Sequence, residues 1–133
     1  MKELIIPGEP VAKGRPRVTK WGTYTPEKTK NYETLVKELF YIEHGQALLE
    51  GQLEINIKAY FSIPKSTSKK NKNLMLAGKI RPTKKPDADN ILKIIGDALN
   101  DLAYKDDKQI VVASIEKFYS EKPLVQIRIK EVV

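Results

Sequence analysis

The distribution of aspartate constrains this chain more than any other feature of its sequence. All six aspartates lie between Lys85 and Ile110, whereas none of the eleven glutamates does. A surface that used acids only for solubility would mix the two residue types and spread them along the chain. We therefore expect the aspartates to serve a local structure or a site.

An amphipathic helix is predicted inside this stretch, over residues 91–104. Its apolar side chains share one arc at 3.6 residues per turn: Ile91, Leu92, Ile94, Ile95, Ala98, Leu99 and Leu102. The opposite, polar face carries Lys93, Gly96, Asp97 and Asn100. Asp89 or Asn90 is a suitable N-cap, which puts Lys93 about one turn beyond Asp89.

Two acidic clusters flank this predicted helix. Asp87 and Asp89 precede it, and Asp106 and Asp107 follow it. The clusters meet only if the next strand packs back beside the helix start. In that arrangement the carboxylates converge beside Lys93, and crowded carboxylates either take up protons or bind a cation. Mg²⁺ prefers such oxygen ligands, and a lysine there would stabilise negative charge that develops on a phosphate.

A purely structural interpretation is open for both clusters. Asp-x-Asp before a helix commonly caps it and complements the helix dipole. Asp-Asp before a strand is commonly an ordinary polar turn. The occurrence of both clusters together, with Lys93 spaced between them, favours metal binding.

A family resemblance rests on these same residues. The string Lys85-Pro86-Asp87-x-Asp89-Asn90-x-x-Lys93, with Asp97-Ala98-Leu99-Asn100 and Asp106-Asp107-x-Gln109-Ile110, resembles the signature of the RusA family of Holliday-junction resolvases. The opening Gly8-x-Pro10-x-x-Lys13-Gly14-Arg15-Pro16-Arg17 is similar to that family's N-terminal basic segment. The resemblance implies a homodimeric endonuclease that uses Mg²⁺ or Mn²⁺ to nick four-way DNA junctions symmetrically, in DNA recombination and repair.

The resemblance also implies four catalytic residues: Asp87, Asp89, Lys93 and Asp107. The three aspartates would be the metal ligands. Counting forward from the shared Asp97-Ala98-Leu99 block favours Asp107 as the third ligand, with Asp106 as the fallback. Asp97 is expected to orient Lys93 through an i,i+4 contact.

Basic residues gather in two segments that we expect to contact DNA. The net charge of +7 favours polyanions in general, and cations beside an acidic site would bring phosphate within its reach. The predicted DNA-binding residues are Lys13, Arg15, Arg17, Lys20, Lys69, Lys70, Lys72, Arg81, Lys84 and Lys85. Solvated loops are the alternative for both segments, and Trp21 in the first is expected to pack onto the core.

The remaining pattern predicts one α+β domain over residues 1–133. Strands are predicted over residues 2–7, 52–64, 110–119 and 124–132, the last two forming an antiparallel hairpin, with a small hairpin around Trp21-Gly22. A helix is predicted over residues 26–44, with Thr25 as N-cap and Pro26 at the first helical position. A second, short helix is predicted after a cap at residues 66–68, and Gly78 would end it. The result is a mixed or antiparallel sheet packed by two main helices.

Several classes of protein are not favoured by the composition. Cysteine is absent and His44 is the single histidine, so neither a disulfide framework nor a zinc site of thiolates or several histidines is available. No apolar run approaches the roughly 20 residues of a membrane span, and the first residues are too polar for a signal peptide. We expect a cytoplasmic protein with no membrane partner, and the resemblance adds a bacterial or phage-derived origin.

Two other functions stay open at this point. One is a non-catalytic DNA-binding module whose acidic cluster only caps the helix. The other is a protein-interaction domain that uses its acidic and basic surfaces. Metal-dependent cleavage of DNA would exclude both.

Overall fold

The computed structural model describes residues 1–14, 17–24 and 26–133. Its strands are β1 (Lys2–Pro7), β2 (Arg17–Thr19), β3 (Gly22–Tyr24), β4 (Leu53–Ser62), β5 (Ile110–Ser120) and β6 (Leu124–Glu131). Its helices are α1 (Glu27–His44), α2 (Lys69–Leu76) and α3 (Ala88–Ala98), and a 3₁₀ turn covers Asp107–Gln109. The predicted α+β class is confirmed.

Four strands form one mixed sheet in the order β1-β6-β4-β5. Strand β6 is antiparallel to both β1 and β4, whereas β5 runs parallel to β4. The predicted hairpin of β5 with β6 is therefore wrong, because β4 lies between them. Strand β4 buries every second side chain from Leu53 to Phe61, and its central position pairs its backbone on both edges.

The core lies between this sheet and two helices on one of its faces. Helix α1 contacts α3 and β1, and α3 contacts β5. The alternation predicted for residues 52–64 is confirmed, since the odd-numbered side chains of β4 face the helices. Fully buried residues from the helices include Val36, Phe40, Ile91, Ile94, Ile95 and Ala98.

Helix α3 is shorter and begins earlier than the sequence predicts. It runs from Ala88 to Ala98 with Asp87 as its N-cap. The predicted bounds, residues 91–104, were therefore wrong. The predicted N-caps, Asp89 and Asn90, were wrong as well, because both lie inside the helix. After the helix the chain turns, and Asp101 adopts a positive φ of 63°. Ala103 and Tyr104 nevertheless remain fully buried. The helical spacing of apolar residues continues beyond the end of α3 because the turn that follows packs on the same core.

The other helix boundaries agree more closely with the predictions. Helix α1 follows Pro26 as N-cap, one residue later than expected, and Thr25 lies outside the described residues. The Ser68 hydroxyl caps α2 by accepting a hydrogen bond from the Asn71 backbone N–H at 3.2 Å. Gly78 follows α2 with a φ of 77°, which suits a residue without a Cβ.

The small hairpin of β2 and β3 is confirmed as a separate two-stranded sheet. Trp21 in its turn is 87% exposed, so the prediction that this ring packs onto the core was wrong. Strands of three residues offer too little surface to bury a large ring. Lys20 lies over the indole instead, 5.1 Å from its centroid.

The sheet face away from α1 and α3 is partly polar, as the alternation predicts. Its side chains pair with one another across strands. Glu3 and Arg128 form an ion pair at 3.2 Å, and the Asn56 amide donates to Ser114 Oγ at 2.7 Å. Among the described residues no helix is long and apolar enough to cross a bilayer.

Candidate active site

The start of α3 presents two exposed carboxylates. Asp87 is the N-cap residue in an extended conformation, and its side chain makes no capping hydrogen bond. Asp89 lies in the first turn of the helix, where a negative charge is favourable to the helix dipole. Both side chains are exposed, so neither carboxylate is committed to a contact that maintains the fold.

Lys93 lies one turn after Asp89 and makes the contact predicted for it. Its Nζ is 3.1 Å from Oδ1 of Asp97, four residues further along α3. The Lys93 side chain is 59% exposed, whereas that of Asp97 is 20% exposed. The carboxylate is thus the fixed member of this pair and the ammonium the more accessible one.

The turn that follows α3 is held by Asp106 and Gln109. The Asp106 carboxylate accepts a hydrogen bond from the Lys108 backbone N–H at 2.9 Å, and Gln109 Oε1 accepts one from the Asp106 N–H at 3.2 Å. The Gln109 amide also donates to the carbonyl of Leu49 at 3.0 Å. Asp106 is therefore a capping residue. The sequence contains this signal, since an acid three residues before a glutamine is typical of a capping box.

Asp107 is positioned by two residues that the sequence interpretation left on the polar face without a role. Its backbone N–H donates to Asn100 Oδ1 at 2.9 Å. Gly96 is buried beneath it, and a Cβ built there would lie 3.6 Å from Asp107 Oδ2. The Gly96 carbonyl accepts a hydrogen bond from the buried Tyr104 hydroxyl at 2.8 Å. The turn thus lies against the helix at ordinary van der Waals distance from a Cβ at this position.

Together these elements form one open cleft of about 310 Å³ beside α3. Its polar lining consists of Asp89, Lys93 and Asp107, and its apolar lining of Leu92, Gly96, Ile110 and Ala113. The structure therefore brings the first turn of α3 and a residue from the turn after the helix into one cleft. Asp87 and Asp106 do not line it.

The neighbouring acids Asp106 and Asp107 differ in their electrostatics. Partial burial raises the pKa of Asp107, and its contact with Asp106 and the charge of Asp97 raise it further. Lys93 acts in the opposite direction. The Lys108 backbone N–H lowers the pKa of Asp106 by bonding to its carboxylate. The ionised form is thus less favourable for Asp107, which faces the cleft, than for Asp106. A cation bound in the cleft would stabilise the ionised form of Asp107.

The donor set of the cleft fits a magnesium ion. Mg²⁺ is commonly held by one or two carboxylates, with water completing its coordination shell, and Asp89 and Asp107 supply two. Within residues 1–14, 17–24 and 26–133, no three acidic or histidine side chains are grouped as a complete metal cage. The cleft is therefore better suited to a hard cation that keeps several water ligands than to a cation whose ligands all come from the protein.

The second of the two basic segments contains Arg81, Lys84 and Lys85 and contacts strand β5. Arg81 lies 4.1 Å over the Phe118 ring and 3.7 Å from the Glu116 carboxylate, on the open face of the sheet. Lys117 on the helix face donates to the Lys84 carbonyl. Residues 79–85 thus wrap around the edge of β5 and lead into Asp87. A freely solvated loop does not describe this segment.

The other predicted DNA contacts are dispersed. Lys69, Lys70 and Lys72 lie on α2, with Lys72 paired to Glu121 at 3.3 Å. Lys85 lines a groove with Lys28, between residues 10–14 and the start of α1.

In the first basic segment, Lys20 flanks Trp21 in the exposed hairpin. Lys13 is partly buried and pairs with Glu33 and Asp97. Arg17 opens β2, and Arg15 lies outside the described residues.

Comparison with known proteins identifies the family. The family model described as endodeoxyribonuclease RusA matches residues 7–130. The chain is also 42% identical over 136 residues to the uncharacterized protein YqaN of Bacillus subtilis (strain 168), covering 98% of this chain and 96% of that protein. The family match includes both acidic clusters, α3 and the cleft between them. The chain belongs to the endodeoxyribonuclease RusA family.

Proposed function

We propose that this protein is a Mg²⁺-dependent endonuclease that resolves Holliday junctions by paired symmetric nicks, in DNA recombination and repair. The observation that carries the proposal is the cleft in which Asp89, Lys93 and Asp107 meet. Family membership supports the nuclease class. Two identical sites would be supplied by a homodimer, because a four-way junction and a C₂ dimer share two-fold symmetry.

In this proposal Asp89 and Asp107 hold the metal ion, and Asp87 at the helix start is the third predicted ligand. Mg²⁺, or Mn²⁺ in its place, would polarise the scissile phosphate and lower the pKa of a bound water. The accessible ammonium of Lys93 stabilises the negative charge that grows on the phosphate during cleavage. Leu92, Ile110 and Ala113 form the apolar wall of the cleft.

Basic residues outside the cleft would bring the DNA to it. Arg81, Lys84 and Lys85 immediately precede the acidic residues, and all three side chains are exposed. Each phosphate they neutralise releases counterions, so binding should weaken as salt is raised. The first basic segment and α2 would extend the same contact along the arms of a junction.

Incubation of a labelled four-way junction and a linear duplex, each with and without Mg²⁺, tests the proposal. We expect symmetric nicks in the junction only when the metal is present. Asp89→Asn should reduce the cleavage rate by at least about 100-fold, since even groups that only orient metal ligands are worth about 10- to 100-fold. Its affinity for the junction should be retained or increased, because one negative charge near the phosphates is removed.

Three outcomes would contradict the proposal. Absence of metal-dependent products from either DNA would favour a non-catalytic DNA-binding module. Full cleavage by Asp89→Asn would remove that residue from the metal site. Binding that disappears near physiological salt, together with absence of cleavage, would indicate a protein-interaction domain instead.

A further inference from the structure

A chain of alternating charges connects α1 to the cleft. Lys13 Nζ lies 3.1 Å from Glu33 Oε1 and 3.3 Å from Asp97 Oδ2. The other oxygen of Asp97 is 3.1 Å from Lys93 Nζ. The order is therefore Glu33, Lys13, Asp97, Lys93, with the two ends on different helices.

Burial distinguishes the first three members of this charge chain from Lys93. The side chains of Glu33, Lys13 and Asp97 are 16%, 25% and 20% exposed, whereas Lys93 is 59% exposed. Partial burial by itself lowers the pKa of Lys13, but Glu33 and then Asp97 outweigh it, and the net shift is upward. Lys13 is thus a charged residue held between two carboxylates, in contrast to the exposed lysines of α2.

The backbone around Lys13 is fixed to both helices. The Lys13 N–H donates to the Asn90 carbonyl in the first turn of α3 at 3.2 Å. The Gly14 N–H donates to Thr29 Oγ1 of α1 at 2.9 Å, and a Cβ on Gly14 would lie only 2.7 Å from that oxygen. A residue with a side chain does not fit there without a shift, so the position of Lys13 is set by local packing.

The consequence for Lys93 follows from the sharing of Asp97. A carboxylate with two cationic partners leaves less of its charge to each than a carboxylate with one. Lys13 contacts Oδ2 of Asp97, and Lys93 contacts Oδ1. Asp97 can therefore orient Lys93 while Lys13 neutralises part of its negative charge. The Lys93 ammonium can then turn to a phosphate in the cleft while Asp97 keeps a partner.

We propose that Lys13 is a positioning residue, which fixes and partly neutralises Asp97 so that Lys93 is presented to the scissile phosphate. This inference rests on the proposed nuclease function. It differs from the phosphate contact predicted for Lys13 from the sequence. A phosphate contact would contribute to affinity and its salt dependence, whereas a positioning contact contributes to the rate of the bound complex.

Lys13→Met separates these two roles, since it removes the charge and keeps most of the aliphatic stem. Single-turnover cleavage of a labelled junction at saturating protein should slow by about 10- to 100-fold, in line with the cost of small misplacements of a reacting group. The Kd for the junction without divalent metal, and its slope against log salt, should stay at the wild-type values. Lys37→Met is the matched control, because Lys37 is an exposed lysine of α1 outside the charge chain; it should change neither quantity.

A double-mutant cycle tests whether Lys13 acts through Lys93. In a Lys93→Ala background, Lys13→Met should have little further effect on the single-turnover rate, since the group it positions is gone. Lys13→Arg should recover most of the rate by keeping a cation between the same carboxylates. If Lys13→Met does not fold, Lys13→Gln replaces it and should slow the single-turnover rate in the same way, because it also lacks the positive charge.

The inference is overturned if Lys13→Met weakens Kd and lowers the salt slope by about one, the value for one lost phosphate contact, with the saturated rate unchanged. It is also overturned if the rate losses of Lys13→Met and Lys93→Ala are independent. Failure of the wild-type protein to cleave any junction would instead contradict the proposed function itself. The two failures are therefore distinguishable.

Discussion

Asp106 and Asp107 are adjacent in sequence but differ in their surroundings. The Asp106 carboxylate accepts a backbone hydrogen bond and caps the 3₁₀ turn. Asp107 faces the cleft above Gly96, where partial burial raises its pKa. At the scale of single residues, hydrogen-bond partners and burial thus separate two acids that the sequence alone presents as equivalent.

This difference predicts unequal effects for the same substitution. Asp107→Asn should lower metal-dependent cleavage by at least about 100-fold, because a cleft carboxylate is lost. Asp106→Asn should retain cleavage within about threefold, since asparagine is an equally good capping residue. Initial rates on the junction at saturating Mg²⁺ measure both. Equal losses in the two variants would return Asp106 to the set of metal ligands.

A second residue-scale prediction concerns Gly96. Gly96→Ala should increase the free energy of unfolding by about 0.5–1 kcal/mol, because alanine is the better helix former and restricts the unfolded chain. The added methyl would make an ordinary 3.6 Å contact with Asp107 Oδ2. Urea unfolding followed by circular dichroism measures the change. Gly96→Leu is the contrasting variant and should destabilise, and a loss of stability in Gly96→Ala would refute this account of the packing.

At the scale of elements, β5 is one of the two edge strands of the four-stranded sheet. The second half of β5 is covered by other parts of the chain. Arg81 lies over the Phe118 ring on the open face of β5. On the helix face, Lys117 of β5 donates a hydrogen bond to the Lys84 carbonyl. The ring of Tyr60 on β4 stacks on Phe118 at 5.4 Å. This wrapping covers part of a free strand edge and also fixes the direction in which the chain enters α3 at Asp87.

Phe118→Ala should therefore loosen residues 79–85. Loss of one aromatic pair and one cation–π contact predicts a destabilisation of about 1–3 kcal/mol. Hydrogen exchange of the backbone amides in residues 79–85 should accelerate, while amides of β6 should change little beyond the global effect. Phe118→Tyr keeps the ring and is the control. Unchanged exchange in Phe118→Ala would show that the segment is held by other contacts.

At the scale of the whole molecule, the proposed paired nicking needs two sites, and the described part of the chain contains one cleft lined by Asp89, Lys93 and Asp107. Among the exposed apolar side chains of the described residues, two pairs of consecutive residues offer surfaces that a second copy could cover. One is Tyr41 and Ile42 on α1, and the other is Val111 and Val112 on the uncovered half of β5. Both pairs belong to elements, α1 and β5, that also contribute side chains to the core.

We therefore predict a homodimer in solution. Sedimentation equilibrium at micromolar protein should give twice the 15.1 kDa mass of the chain. Ile42→Glu and Val112→Glu place a charge in each patch, and the variant that becomes monomeric with its fold intact identifies the interface. A wild-type protein that remains monomeric at working concentration would contradict paired nicking by one dimer.

The sequence by itself determined the elements that depend on local periodicity. The alternation of β4, the capped short helix α2 and the helical contact between Lys93 and Asp97 could all be predicted, because residues a few positions apart decide them. The concentration of aspartate around one helix also identified the region of the site. Even the capping function of Asp106 was contained in its spacing from Gln109.

Only the tertiary structure decided which distant residues meet. The order of strands placed β4 between β5 and β6, and the periodicity of a strand carries no information about its partner. The end of α3 at Ala98 was hidden because the turn after it stays buried. Lys13 finds its partners 20 and 84 positions away, and contacts of that separation depend on how helices pack and not on the order of neighbours along the chain.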